Sequence, residues 1–167
     1  MLRQIWLMRH GEAADPDTAC SDAERALTER GHGQVAAMAR WLAGRGAAPD
    51  LILHSPLRRA RETAESFAAQ FPTGVPLAEE VVLAPGMQPA ALWHVLQRFE
   101  LNCVVCVGHQ PDIGGCATTW IGGGGLAFRP GTLAMLSVAA AEPATPSGTL
   151  QGLLDPKWFT GGRGVGG

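Results

Sequence analysis

Three short apolar runs in this 167-residue chain each end on residues able to grip and attack an anion. Ile5 to Met8 leads into Arg9, His10, Gly11 and Glu12. Leu51 to Leu53 leads into His54 and Ser55, with Arg58, Arg59 and Arg61 close behind. Cys103 to Val107 leads into Gly108 and His109. Arginine suits phosphate because its planar fork donates two parallel hydrogen bonds. An imidazole nitrogen can attack phosphorus and hold the group until water removes it. Two histidines with arginines at neighbouring strand ends therefore suggest a dianion site. No GxSxG segment competes for the nucleophile's role, and Cys103 and Cys106 fall inside an apolar run.

The elements that must position these residues follow from spacing. Val35, Met38, Ala39 and Leu42 fall at i, i+3, i+4 and i+7, as do Leu92, Val95, Leu96 and Phe99, and Ile113, Cys116, Ala117 and Trp120. The chain reads as a strand at Gln4 to Met8, a helix over 28–45 ended by Gly44 and Gly46, and a strand at Leu51 to Leu53. A helix over 57–70 follows, with Ser55 as N-cap and Pro56 as its first residue, then an apolar run from Leu77 to Leu83. A helix from Pro89 to Phe99, a strand at Cys103 to Val107, a helix after Pro111 and a final strand near Leu133 to Val138 complete the series. This alternation predicts an α/β fold of three layers, a mostly parallel sheet with helices on both faces. Ligands of such sheets bind beyond the carboxyl ends of the strands, where all three clusters fall. The helix opening at Ser55 would add free N–H groups and a positive dipole end.

Length and a 46% hydrophobic composition fit one domain, expected over residues 1–159, with a glycine-rich tail at 160–167 expected to be disordered. Net charge is −2 and the basic residues are dispersed, which argues against nucleic acid as a partner. Leu2 to Met8 is too short and too interrupted for a signal peptide or a membrane span, so a cytoplasmic location and no membrane partner are expected. Of the four cysteines, Cys20, Cys103, Cys106 and Cys116, the CxxC pair would point to opposite faces of a strand and so form neither a redox nor a metal site. With neither HxH nor HExxH present, no metal or cofactor is expected.

Leu7-Met8-Arg9-His10-Gly11-Glu12 resembles the signature of the histidine phosphatase superfamily, the group that includes the phosphoglycerate mutases. Ser55-Pro56-Leu57-Arg58-Arg59-Ala60-Arg61-Glu62-Thr63 resembles its second segment, in which the arginine before alanine is the clamp, matching Arg59. Val107-Gly108-His109-Gln110-Pro111 resembles the segment with the second histidine. Ser21-Asp22 with Arg25-Ala26-Leu27-Thr28 and Gly31 is similar to the RPLT segment of the small SixA-type phosphohistidine phosphatases, with alanine replacing proline. The resemblance covers about residues 2–140. It implies a mutase-like sheet without the large cap, no metal, His10 as the phosphorylated residue, Arg9, Arg59 and His109 as its catalytic companions, and Arg25 and Gly11 in substrate binding.

Larger members of that superfamily carry a glutamate after the third strand that protonates the leaving group. The matching stretch here reads Glu79-Glu80-Val81-Val82-Leu83, with Val82 at that place. Either Glu79 or Glu80 acts from a shifted position, or the substrate needs no strong acid. Imidazole, with an ordinary pKa of about 6.5, can leave already protonated, whereas an alkoxide cannot. The expected substrate is therefore phosphohistidine in a protein, for example a histidine phosphotransfer domain. A small phosphomonoester is the alternative, and a non-catalytic phosphate or phosphoprotein binding module is a third reading. Arg58 and Arg61, each four residues before a glutamate, are expected in surface ion pairs, while His32, His54 and His94 are expected to be structural.

Overall fold

The computed structural model describes residues 2–19, 21–139 and 146–160. Cys20 and the 161–167 part of the glycine-rich tail lie outside the described residues. In chain order the elements are β1 (Leu2–Arg9), α1 (Glu29–Ala43), β2 (Leu51–His54), α2 (Arg58–Ala68), β3 (Leu77–Glu79) and α3 (Pro89–Leu96). Then come β4 (Cys103–Gly108), α4 (Asp112–Trp120), β5 (Leu133–Ala139) and β6 (Ser147–Leu154). One sheet runs in the order β3-β2-β4-β1-β5-β6. Its first four strands are parallel, and β5 and β6 are antiparallel to their neighbours.

Alternation along the central strands divides the core into two halves. Ile5, Leu7, Val104 and Cys106 face the layer formed by α3 and α4, with Leu92, Trp93, Ile113 and Trp120. Trp6, Met8, Cys103, Val105 and Val107 face the layer formed by α1 and α2, with Val35, Met38, Ala64 and Phe67. Cys103 and Cys106 thus lie on opposite sides of the sheet, as the period of two requires. Burial drives both thiols to higher pKa, Cys103 to about 12 and Cys106 further still. Phe67 is fully buried, and truncating such a ring to alanine costs on the order of 3 to 5 kcal/mol.

Local signals account for the helix that follows β1. Thr28 caps α1 by accepting the Gly31 N–H at 3.0 Å. Gly31 has no side chain because its first turn lies against the backbone of Glu12, where any Cβ would collide with the Glu12 carbonyl oxygen.

Three expectations need correction. The N-cap of α2 is Leu57, not Ser55: Pro56 precedes the cap, and the Ser55 hydroxyl accepts the Leu57 N–H at 3.3 Å instead of opening the helix. The run from Leu77 to Leu83 is not one strand. Pairing stops at Glu79, the Glu80 N–H donates to the His54 carbonyl, and Val81–Leu83 turn into a 3-10 helix. The final strand is β6, not β5. It is an edge strand with Gly148 and Gly152 inside it, and its residues alternate between exposed and half-buried, so its apolar signal is weak.

Candidate functional site

The site forms where β1, β2 and β4 end together. Register pairs Arg9 with Gly108 and His54 with Val107, which places His10, Ser55 and His109 side by side just past the sheet. The His10 N–H donates to the Gly108 carbonyl at 3.0 Å, and the Gly131 N–H donates to the His10 carbonyl at 2.9 Å. The nucleophile candidate is thus pinned from β4 and from the start of β5. The rings of His10 and His109 lie 5.2 Å apart, centroid to centroid, and both residues are buried.

His10 Nδ1 lies 2.7 Å from the Gly11 carbonyl. A carbonyl can only accept, so Nδ1 carries the proton and Nε2 keeps its lone pair. Burial lowers the pKa of His10 to about 3, with help from His109, Arg59 and Arg9 and against the pull of the Gly11 bond. Burial likewise lowers His109 to about 4, aided by Arg59. Both rings are neutral near pH 7, and neutral imidazole is the nucleophilic form.

Thr63, fully buried on α2, links the nucleophile's loop to the arginine helix. Its hydroxyl donates to the Arg59 carbonyl at 2.6 Å and accepts the Gly11 N–H at 2.9 Å. Gly11 therefore spends its amide on Thr63 and its carbonyl on His10. Both backbone groups of Gly11 thus hold the His10 ring and its loop in place.

Arg59 is 5% exposed, so its charge works in a poorly solvated setting. It donates to the backbone carbonyl of Asp22 at 2.7 Å and to the Asp22 carboxylate at 3.1 Å. Arg25 meets the same carboxylate at 3.4 Å. Arg9 donates to the Phe128 carbonyl at 2.9 Å, and burial pulls its pKa below the ordinary arginine value. Of six buried side-chain polar atoms without a hydrogen-bond partner among the described residues, four are Arg9 Nε, Arg25 Nε, Arg59 Nε and His109 Nδ1. Buried polar groups are rarely left unpaired, so donors clustered in this way fit a ligand rich in acceptor oxygens.

The remaining polar residues are otherwise engaged. Arg61 meets Glu65 at 3.9 Å in an exposed pair, as expected, whereas the Arg58–Glu62 pair at 2.7 Å is half-buried, because Glu62 also accepts the Leu27 N–H at 2.7 Å. His54 Nδ1 hydrogen-bonds the Ser55 carbonyl at 2.9 Å, and His32 Nδ1 meets the Ser66 hydroxyl at 2.6 Å. Glu80 is tied to Arg98 at 2.8 Å and to the Val82 N–H at 3.3 Å, while Glu79 is exposed at the end of β3. Val82 packs against the core half formed by α3 and α4. Asp112 accepts the Gly86 N–H at 2.7 Å. Among the described residues no group of three or more His, Cys, Asp or Glu side chains is placed to hold a metal ion, and no helix is long and apolar enough to cross a membrane.

Sequence reasoning passed over Ser55, Thr63 and Asp22 as members of the site. Thr63 carries a usable signal: it lies four residues after Arg59, on the same helix face. Asp22 does not, because an aspartate in a loop carries no periodicity, and Ser55 was assigned to helix capping.

A sheet whose parallel strands deliver two histidines and a buried arginine to one end defines a class, and comparison with known proteins gives the same one. The family model described as histidine phosphatase superfamily (branch 1) matches residues 5–83. The chain belongs to this superfamily. An uncharacterized protein of Picosynechococcus sp. strain PCC 7002 is 34% identical over 169 residues, covering 93% of this chain and 98% of that one. Among solved structures, the protein histidine phosphatase SixA complexed with tungstate superposes with a TM-score of 0.79 and 28% identity, over 92% of this chain and 97% of that one. A mycobacterial glucosyl-3-phosphoglycerate phosphatase shares the fold at a TM-score of 0.67 and 20% identity, over 89% of this chain and 97% of that one. The fold of this chain is similar to that of the SixA-type phosphatases.

Proposed function

We propose that this chain hydrolyses phosphohistidine in a protein, carrying the phosphoryl group on His10 between two transfers. The observation that carries the reading is the state of His10: Nδ1 is committed to the Gly11 carbonyl, Nε2 has no hydrogen-bond partner among the described residues, and the ring is neutral beside Arg9, Arg59 and His109. In the first step Nε2 forms a bond to phosphorus as the bond from phosphorus to the substrate's imidazole nitrogen breaks. Water then attacks phosphorus, releasing phosphate and restoring His10. Arg9 and Arg59 balance the charge on the phosphoryl oxygens, with Arg25 on the substrate side through Asp22.

The leaving group supports this substrate over an alkyl ester. Glu80 is tied to Arg98, and Val82, partly buried against the core, has no proton to give, while departing imidazole needs no strong acid. The similarity to SixA, which was solved with the tetrahedral oxyanion tungstate, supports both the anion site and the substrate class. The guanidinium pair takes the charge-stabilising part that a metal would play, so the reading is metal-independent. A histidine phosphotransfer domain is the partner we propose, and the cytoplasm the compartment.

Phosphate release should be measured without added metal, with and without EDTA, from a phosphohistidine protein, p-nitrophenyl phosphate and sugar phosphates. The phosphohistidine protein should be preferred and EDTA without effect, and rapid quench with mass spectrometry should find an acid-labile phosphoryl group on His10. Label on a serine or cysteine, or loss of activity on chelation, refutes the mechanism. Preference for a sugar phosphate would instead make this an enzyme for small phosphomonoesters.

A further inference from the structure

The two histidines are held by different kinds of partner, and the difference fixes opposite tautomers. His10 faces a carbonyl, so its Nδ1 must donate. His109 Nε2 lies 2.7 Å from the Ser55 hydroxyl, a group that can donate or accept. The surroundings of Ser55 decide between the two arrangements. Its side chain is fully buried, and its oxygen already accepts the Leu57 N–H at 3.3 Å. If Nε2 donated, the serine proton would have no acceptor among the described residues, and the lone pair on Nδ1 would also be unpaired. If the hydroxyl donates to Nε2, every atom of Ser55 is satisfied. A single unpaired group remains, the Nδ1–H of His109, whose nitrogen has no partner among the described residues. Leaving one buried polar group unpaired costs less than leaving two.

We infer that Ser55 is a positioning residue that holds His109 as an Nδ1–H donor, so that a ring offering a proton stands opposite a ring offering a lone pair. The inference rests on the proposed phosphoryl transfer, and assigns each imidazole one half of it. His10 Nε2 supplies the electron pair that forms the bond to phosphorus. His109 Nδ1–H, with its proton retained, hydrogen-bonds a phosphoryl oxygen as negative charge grows there. No proton is transferred by His109, so the step needs no further acid. The correction to the α2 boundary belongs to the same picture. Ser55 lies two residues before the cap, where its oxygen accepts the Leu57 N–H and its proton is left for His109.

The test is a nitrogen NMR spectrum of the protein with 15N-labelled histidine at neutral pH, with His109 assigned by its disappearance in His109→Gln. The wild type should show His109 with a protonated Nδ1 and an unprotonated Nε2. Ser55→Ala should shift the ring toward the Nε2–H tautomer. It should also lower kcat and kcat/KM together by roughly tenfold to a hundredfold, the scale for removing a group that orients a functional imidazole. Ser55→Thr, which keeps the hydroxyl, should recover most of that loss. A wild-type spectrum with the proton on Nε2 overturns the inference even if neither variant folds, as does Ser55→Ala with unchanged tautomer and rate. Failure of the underlying reading would look different, as wild-type enzyme that never carries a phosphoryl group on His10.

Discussion

Lowering the pH should destabilise this protein through its two site histidines, and the size of the effect follows from their burial. The folded state holds His10 near 3 and His109 near 4, against an ordinary value of 6.5. Between those limits the unfolded chain binds protons that the folded chain refuses, so stability rises with pH and falls as acid is added. The loss begins near pH 6.5, proceeds at about 1.4 kcal/mol per pH unit per histidine, and stops for each ring only below its folded value. From about pH 7 to about pH 5 each ring contributes roughly 2 kcal/mol, and the pair roughly 4. That is a large share of the roughly 5 to 15 kcal/mol that holds a domain together. Urea unfolding of the wild type and of His10→Gln/His109→Gln at both pH values isolates the term, because all other titrating groups are common to both. The double variant should lose about 4 kcal/mol less than the wild type over that interval. Equal losses would show that the rings protonate freely in the folded state, and the neutral nucleophile would lose its physical basis.

Arg59→Ala should reduce turnover by about 10² to 10³, the scale for losing one preorganised charge-stabilising donor. Arg61→Ala, which breaks an exposed ion pair, and Arg58→Ala, which leaves Glu62 its bond to the Leu27 N–H, should change turnover far less, and equal loss in all three in steady-state assays would refute the choice of arginine. Glu79→Gln and Glu80→Gln should leave phosphohistidine turnover within about threefold, and a loss of 10² or more with an alkyl phosphate would identify a carboxylic acid donor after all. Thr63→Val should cost about 1 to 3 kcal/mol in denaturant unfolding, because the Gly11 N–H would be left buried without its acceptor, whereas Thr63→Ser should cost less.

The sequence made the parts of the fold with strong periodicity readable, and the failures have physical causes. Helix faces such as Val35, Met38, Ala39 and Leu42 repeat because one stripe must enter the core, and all four are buried. The central strands are apolar runs because both of their faces are covered. In contrast, β6 is a half-exposed edge strand interrupted by glycines, and β3 stops after three residues although its apolar composition continues. In the site, the residues that bear charge stood out by type. The neutral residues that orient them did not, since a serine before a proline reads as a cap and a threonine on a helix reads as a neutral member of a face. Only the three-dimensional path of the chain brings Ser55 to His109, Thr63 to Gly11, and Asp22 to Arg59.

The segment between β1 and α1 is closed at its base. Ala13 bridges Leu27, the Ala14 N–H meets the Ala26 carbonyl at 2.9 Å, and the Thr28 N–H meets the Glu12 carbonyl at 2.9 Å. Residues within that neck carry Asp22 and Arg25 to the clamp, while His10, Ser55 and His109 hang from the sheet. The two halves meet at Arg59, which Asp22 holds through its carbonyl and its carboxylate. The neck confines the cost of a longer or shorter loop to closure entropy, which grows by only about 0.6 kcal/mol for each doubling of length. A descendant could therefore lengthen or shorten the stretch inside the neck, provided Asp22 still bridges Arg25 and Arg59.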